Sequence, residues 1–125
     1  MNLTQTKIKL VDNEGNLNVT PNDRRTVCSF SGSGDYTVVV NTGSAQFGDE
    51  LVLTFIRGES NLSITFPTET FLLTWCSSTI SKLILTGFNG TTNNFDETSS
   101  ELATANYTAV FYFDGEKFTN TFDEG

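Results

Sequence analysis

Short runs in which apolar and polar residues alternate fill most of the chain. In residues 36–41, for example, Tyr36, Val38 and Val40 fall on one face of an extended segment. Because side chains alternate between the two faces of a strand, this period of two predicts half-buried β-strands. The predicted strands are residues 6–11, 17–20, 26–30, 36–41, 50–57, 62–66, 71–76, 80–86, 107–113 and 116–122.

Glycine, asparagine and aspartate separate these runs and predict the turns. The Gly-rich residues 31–35 and the four residues 58–61, Gly-Glu-Ser-Asn, each predict a turn between two strands. Residues 12–16 predict the turn of a small N-terminal hairpin. Asp114-Gly115, between two aromatic runs, predicts a hairpin with a type I′ turn. Residues 98–105, with Ser and Thr before Glu101, predict the one helical turn.

The spacing of these elements indicates an all-β fold in one domain. Strands that recur every 8–12 residues or so are typical of a β-sandwich or a jelly-roll-like antiparallel fold. Aromatic residues become more frequent after the connector at residues 21–25. We therefore expect an N-terminal hairpin arm over residues 1–25, a possible attachment segment, and a sandwich of about eight strands over residues 26–125.

Composition excludes most catalytic chemistry. The chain has no His, so Ser–His and Cys–His nucleophile pairs and the usual zinc sites are absent. The acid pairs Asp49-Glu50 and Asp96-Glu97 are adjacent in sequence, and adjacent residues of a strand point to opposite faces. The sequence therefore predicts a protein that is not an enzyme, with no catalytic residue, no metal site and no cofactor.

Charge excludes further partners. The formal net charge is −8 and the pI is about 4.2, with seven Lys and Arg scattered along the chain. A nucleic-acid or anionic-membrane partner requires clustered basic residues, so we expect neither. No apolar stretch has the length of a signal peptide or a membrane span. Cys28 and Cys76 lie in apolar runs and are expected to be buried free thiols.

Aromatic residues are the remaining candidates for a site. Tyr36, Trp75 and Tyr112 are candidate ligand-stacking residues, because an aromatic ring with a polar rim matches the face of a sugar. Phe88 and Phe95 lie in the polar loop at residues 87–97. An apolar residue in such a loop either caps the core or meets a neighbouring subunit, so these two are candidate interface residues.

The order of the later motifs resembles small β-sandwich modules in structural proteins of tailed bacteriophages. In those modules a Gly-Asp pair opens a strand of alternating hydrophobics, as Gly48-Asp49 does here. A Tyr then leads into an aromatic strand, an Asp-Gly or Asn-Gly turn and an aromatic return strand, which Tyr107 and Asp114-Gly115 match. Phe118 stands where Trp is common in the family. The resemblance covers about residues 30–120, and residues 10–17 are similar to hairpins of phage fibre and decoration proteins.

The resemblance implies a virion component that is often trimeric. It would be either a capsid decoration or auxiliary protein, or a subunit of a head or tail fibre. Such a protein is made in the host cytoplasm, binds other virion proteins and needs no cofactor. Two alternatives stay open on the residues alone. One is a carbohydrate- or receptor-binding module that contacts a host surface glycan through the aromatic residues. The other is a glycan-cleaving enzyme, which would lose its activity on a change such as Asp96→Asn.

Overall fold

Strands make up all the regular structure of the described residues. A computed structural model describes residues 8–21, 24–75, 78–87, 94–95 and 99–120, and the backbone alone at residues 75, 78, 94–95 and 99–100. The strands are β1 (Ile8–Lys9), β2 (Asp12–Asn13), β3 (Asn16–Val19), β4 (Arg25–Val40), β5 (Glu50–Thr65), β6 (Phe71–Trp75), β7 (Ser78–Ile80), β8 (Lys82–Leu85), β9 (Asn94–Phe95), β10 (Ser99–Leu102), β11 (Asn106–Phe113) and β12 (Phe118–Asn120). The predicted all-β, sandwich-like class is confirmed.

Two long strands, β4 and β5, form the centre of the fold. They pair in parallel, from Arg25 opposite Glu50 to Thr37 opposite Thr65. The predicted turns at residues 31–35 and 58–61 are therefore wrong, because both stretches lie inside continuous strands. The chain bends there and does not reverse, since Gly34 has a φ of 108° and the register shifts beside it.

The two halves of the long strands have different neighbours. The first half of β5 pairs with β11, and its second half pairs with β8, both antiparallel. Likewise β4 pairs in parallel first with β1 and then with β3. Beyond β11 the order continues to β12, β6 and β7, and beyond β8 to β10 and β9. The sheet is thus mixed and not antiparallel throughout. The pairs β1–β4, β3–β4, β4–β5, β8–β10 and β6–β12 are parallel, and none of them can be joined by a tight hairpin turn.

The inward faces of both halves enclose one hydrophobic core. Alternation places Leu51, Leu53 and Phe55 of β5 inward, and each is at most 1% exposed. Phe66 lies at the centre of an aromatic cluster, with its ring centroid 6.0 Å from that of Phe55. The Phe66 centroid is also 5.2 Å and 5.5 Å from those of Phe71 and Phe111. The rings of this cluster thus join β5, β6 and β11.

The N-terminal hairpin belongs to this core. Strands β2 and β3 pair antiparallel around Glu14 (φ 53°) and Gly15 (φ 87°), both in the left-handed region that a type I′ turn requires. Leu10, Leu17 and Val19 are buried with the core residues. The described part of the predicted arm therefore packs with the rest of the chain, while its role in attachment stays a prediction.

The hairpin predicted at Asp114-Gly115 is confirmed, with a different turn. Strands β11 and β12 pair antiparallel, with Phe113 opposite Phe118. Gly115 has a φ of 103°, but Glu14 is the one non-glycine residue with positive φ in the described ranges. A type I′ turn centred on Asp114-Gly115 would require positive φ at both residues, so that assignment was wrong.

The helical turn predicted at residues 98–105 is wrong where the structure describes it. Residues 99–102 form β10, which pairs in parallel with β8, and residues 103–105 form a bend. The pairing brings Leu102 opposite Leu85, and both side chains are at most 4% exposed. Burial in the sheet therefore outweighs the local helix-capping pattern.

Candidate binding face

Phe47 is the most exposed large hydrophobic residue of the described chain, with 81% of its surface accessible. It lies in a tight turn in which the Asp49 N–H donates to the Gln46 carbonyl, at 2.9 Å. Gly48, next in the turn, has a φ of 90°, as the third residue of a type II turn requires. The Asp49 side chain closes the turn by accepting the Gln46 N–H at 2.9 Å.

The Phe47 turn is also tied to the neighbouring strand. The Gly48 N–H donates to the Phe113 carbonyl, and the Phe113 N–H donates to the Asp49 carbonyl, each at 2.8 Å. These two bonds hold the turn beside the end of β11. The Gly48-Asp49 pair thus fixes the backbone that presents Phe47 to solvent.

An open groove of about 390 Å³ lies beside Phe47, and we call it the Phe47 groove. Its walls come from the Phe47 turn, β6 and the β11–β12 hairpin. The lining residues are Phe47, Gly48, Leu72, Tyr112, Phe113, Asp114, Thr119 and Asn120. Most of them are apolar, so the groove suits an apolar side chain.

The polar side chains of the groove are engaged within the protein. The Asp114 carboxylate accepts the backbone N–H groups of Glu116 and Lys117 at 2.8 Å and 2.7 Å. The Thr119 hydroxyl donates to the same carboxylate at 3.3 Å. The Asn120 amide bonds both the N–H and the carbonyl of Thr74, at 2.7 Å and 2.8 Å. A ligand in this groove would therefore meet few free donors.

The groove continues into the solvent-facing side of the sheet. We call this surface the Val52 face, formed by outward residues of β4, β5, β11, β12 and β6. Its rows run across the strands as Arg25–Glu50–Tyr112–Thr119–Leu72, Val27–Val52–Val110, Ser29–Thr54–Thr108 and Ser31–Ile56–Asn106. Val52 lies outside the core cluster and points away from it. It is nevertheless only 7% exposed, because its neighbours across the strands cover it.

Side-chain hydrogen bonds link neighbouring residues within the first row and within the third row. Glu50 accepts the Arg25 Nε–H at 2.9 Å and the Tyr112 hydroxyl at 3.3 Å. The hydroxyls of Thr54 and Thr108 lie 3.0 Å apart. Arg25 and Glu50 therefore neutralise each other, and Lys9 of β1, in register with Ser29, adds one positive charge at the edge of the face.

The opposite side of the fold has a different character. One row across β4, β5, β8 and β10 runs Asp35–Ser63–Ile84–Glu101, and its neighbour includes Lys82. Charges thus stand among the outward residues there, whereas the centre of the Val52 face has none. Because the whole chain carries a net charge of −8, a sheet face whose one acid is already paired differs from the rest of the molecule.

The candidate stacking residues do not form one site. Tyr112 is 41% exposed and lies on the Val52 face, at the groove. Tyr36 packs on the core, with its ring 4.7 Å from that of Phe30 and its hydroxyl donating to the Ser33 carbonyl at 3.0 Å. The side chains of Trp75 and Phe95, and the whole of Phe88, lie outside the described residues.

Phe47 and Leu72 were missed as candidate site residues. Phe47 lies in a polar loop, as Phe88 and Phe95 do, so the same rule would have selected it. Leu72 carries no such signal, since it alternates with Phe71 and Leu73 in an apolar run. Its place at the groove follows from the parallel pairing of β6 with β12.

Titratable groups of the described chain offer no reactive centre. Burial raises the pKa of the free Cys28 thiol to about 11, which keeps it protonated and unreactive at neutral pH. Backbone hydrogen bonds from Lys117 and Glu116 lower the pKa of Asp114 below its usual value. Within the described ranges, no group of three potential metal-ligating side chains occurs, and no helix is long and apolar enough to cross a membrane.

No family model matches the chain, and neither a curated protein nor a solved structure matches it significantly.

Proposed function

We propose that this chain is a non-enzymatic structural protein of a bacteriophage virion, a capsid decoration or fibre subunit, that acts through protein–protein contacts. The exposed side chain of Phe47 carries the proposal, because the turn holds it in solvent where it contributes nothing to the core. A rigidly held, exposed aromatic residue beside an apolar groove is typical of an interface anchor.

Satisfied polar groups favour a protein partner over a sugar. Sugar recognition requires side chains whose donors and acceptors are free for the ring hydroxyls. In the Phe47 groove, Asn120 and Thr119 are already bonded to Thr74 and Asp114. An apolar side chain of another protein can bind in the groove without a free donor or acceptor, since it forms no hydrogen bond.

The sequence pattern supplies the virion part of the proposal. Gly48-Asp49, Tyr107 and Asp114-Gly115, which carry the resemblance, stand around the groove and on β11. Localisation to the virion, with other virion proteins as partners, is part of the same proposal.

Retention on purified particles tests the proposed function. Phe47→Ser should lower the amount of protein on particles roughly 10- to 100-fold, the loss expected for one buried aromatic anchor. Val39→Ser is the matched control, because Val39 is an exposed apolar residue of β4 that is not part of the Val52 face. Equal retention of both variants would contradict the use of the groove, and absence of the wild-type chain from particles would contradict the virion assignment.

The attachment role of residues 1–25 requires a gentler change than deletion. Removing that segment would also remove Leu10, Leu17 and Val19 from the core. Val11→Asp is the better test, since Val11 is 75% exposed. Lower retention of this variant, with an unchanged unfolding midpoint, would support an attaching segment there.

Glycan binding is the competing outcome. A saturable titration that quenches the fluorescence of Trp75, the one tryptophan, would favour the carbohydrate-binding alternative. Loss of that quenching in Phe47→Ser would place the sugar in the Phe47 groove.

A further inference from the structure

We infer that a second copy of this chain packs on the Val52 face, the two faces meeting about a two-fold axis. This inference rests on the proposed function, in that it takes protein–protein contact as the work of this surface. It adds the identity of the partner, which the groove alone does not give.

Exposed apolar surface marks this side of the molecule. Of the six exposed large hydrophobic residues in the described chain, Phe47, Ile56 and Tyr112 border or lie on the Val52 face. Between them lies the row Val27–Val52–Val110, which faces away from the core. Such a patch with polar residues around it is typical of an association surface.

The distribution of charge selects a second copy as the occupant. Two chains that each carry a charge of −8 repel each other unless they meet where the acids are absent. The Val52 face meets that condition, because Glu50, the one acid in its rows, is already paired with Arg25, and the charge at its edge, Lys9, is basic. A basic partner would be drawn instead to acidic surface, such as that near Asp35 and Glu101.

The shape of the face favours a pair of chains. Two sheets pack face to face about 10 Å apart, as the layers of a sandwich do. Strand and residue spacings give the face an extent of about 20 Å by 20 Å. That is smaller than the roughly 800 Å² that each partner contributes to a standard interface, so we expect a weak association that depends on concentration.

A charge placed on the face tests the inference. Thr108 is exposed on the third row, and Thr108→Lys would put a charge into the contact, where it would lose its hydration. Asn18→Lys is the matched control, since Asn18 is an exposed outward residue of β3, which contributes nothing to this face. Light scattering coupled to gel filtration should give twice the chain mass of 13.7 kDa for the wild type and for Asn18→Lys, and the single mass for Thr108→Lys.

A charge of the opposite sign gives the decisive result. Thr108→Glu should also be monomeric, because burial in the contact penalises a charge of either sign. Thermal unfolding of each variant shows that it is folded. A wild type that stays monomeric over about 1 to 500 µM overturns the inference. So does association that Thr108→Lys leaves unchanged, or a complex of three chains, because two flat faces close as a pair.

The inference and the proposed function fail separately. If the chain is monomeric and Phe47→Ser still loses retention on particles, a different virion protein occupies the groove. If the chain pairs through this face and Phe47→Ser is retained, the pairing stands and the proposed attachment through the groove falls.

Discussion

Gly58 of β5 lies directly against Ser33 of β4, where the register of the two long strands shifts. A Cβ atom on Gly58 would approach the Ser33 Oγ to 2.8 Å and the backbone of Gly32 to 3.3 Å. The same Ser33 hydroxyl accepts the Ser60 N–H at 3.0 Å. The residues between Arg57 and Leu62 of β5 therefore form an irregularity that a single hydroxyl fixes to β4.

Substitution of Gly58 tests this close approach. Gly58→Ala should lower the free energy of unfolding by about 1 to 3 kcal/mol, because the added carbon overpacks a rigid backbone contact. In a Ser33→Ala background the cost should shrink, since the nearest atom is gone. Urea denaturation of the four variants of this cycle measures the coupling. Gly43→Ala is the control, because its Cβ would meet only the end of the Asn41 side chain. Equal losses at Gly58 and Gly43 would contradict the steric argument.

The same contact explains why the long strands could not be predicted from sequence. A cluster of Gly, Ser and Asp, such as residues 31–35, is equally compatible with a reversal and with a bend inside a strand. Which of the two occurs depends on pairing between β4 and β5, whose segments are distant in sequence. Alternation is local, so it could indicate the strands themselves but not their parallel partners.

The candidate site was predictable only in part for a related reason. Tyr112 could be selected from its alternation with Phe111 and Phe113. The groove also needs Phe47 from a turn and Leu72 from β6, which three separate pairings bring together. No spacing along the chain encodes that meeting, so the aromatic candidates appeared as isolated residues.

Acid should weaken the β11–β12 hairpin through Asp114. Its carboxylate accepts two backbone N–H groups, which lowers its pKa in the folded state below that of an unfolded Asp. The stabilising effect is therefore complete above that value and is lost as the pH falls through the lower, folded-state pKa. Asp114→Asn should lower the Tm at neutral pH, and the difference from wild type should vanish in acid below the folded-state pKa. Glu116→Gln, at the next exposed acid, is the control for a general charge effect, and a Tm difference independent of pH would refute the role of ionisation.

The Cys28 thiol should resist alkylation as long as the protein is folded. It is 1% exposed, and burial raises its pKa to about 11, so very little thiolate exists at pH 8. Iodoacetamide at pH 8 should leave the peptide that contains Cys28 unmodified, and urea should make it fully reactive. Mass spectrometry of the digested protein separates this site from Cys76. Rapid labelling of Cys28 under native conditions would show that β4 opens locally, which its central place in the sheet argues against.

Substitution by Ala should destabilise the protein strongly at Phe66 and hardly at all at Phe47. Phe66 is 1% exposed and packs on the rings of Phe55, Phe71 and Phe111, so Phe66→Ala should cost about 3 to 5 kcal/mol of stability. Phe47→Ala should change stability by no more than about 0.5 kcal/mol, because Phe47 is 81% exposed. Urea denaturation of the monomeric Thr108→Lys background removes any contribution from association. A large loss of stability at Phe47 in that background would show that this side chain supports the fold, which would contradict its role as an interface anchor.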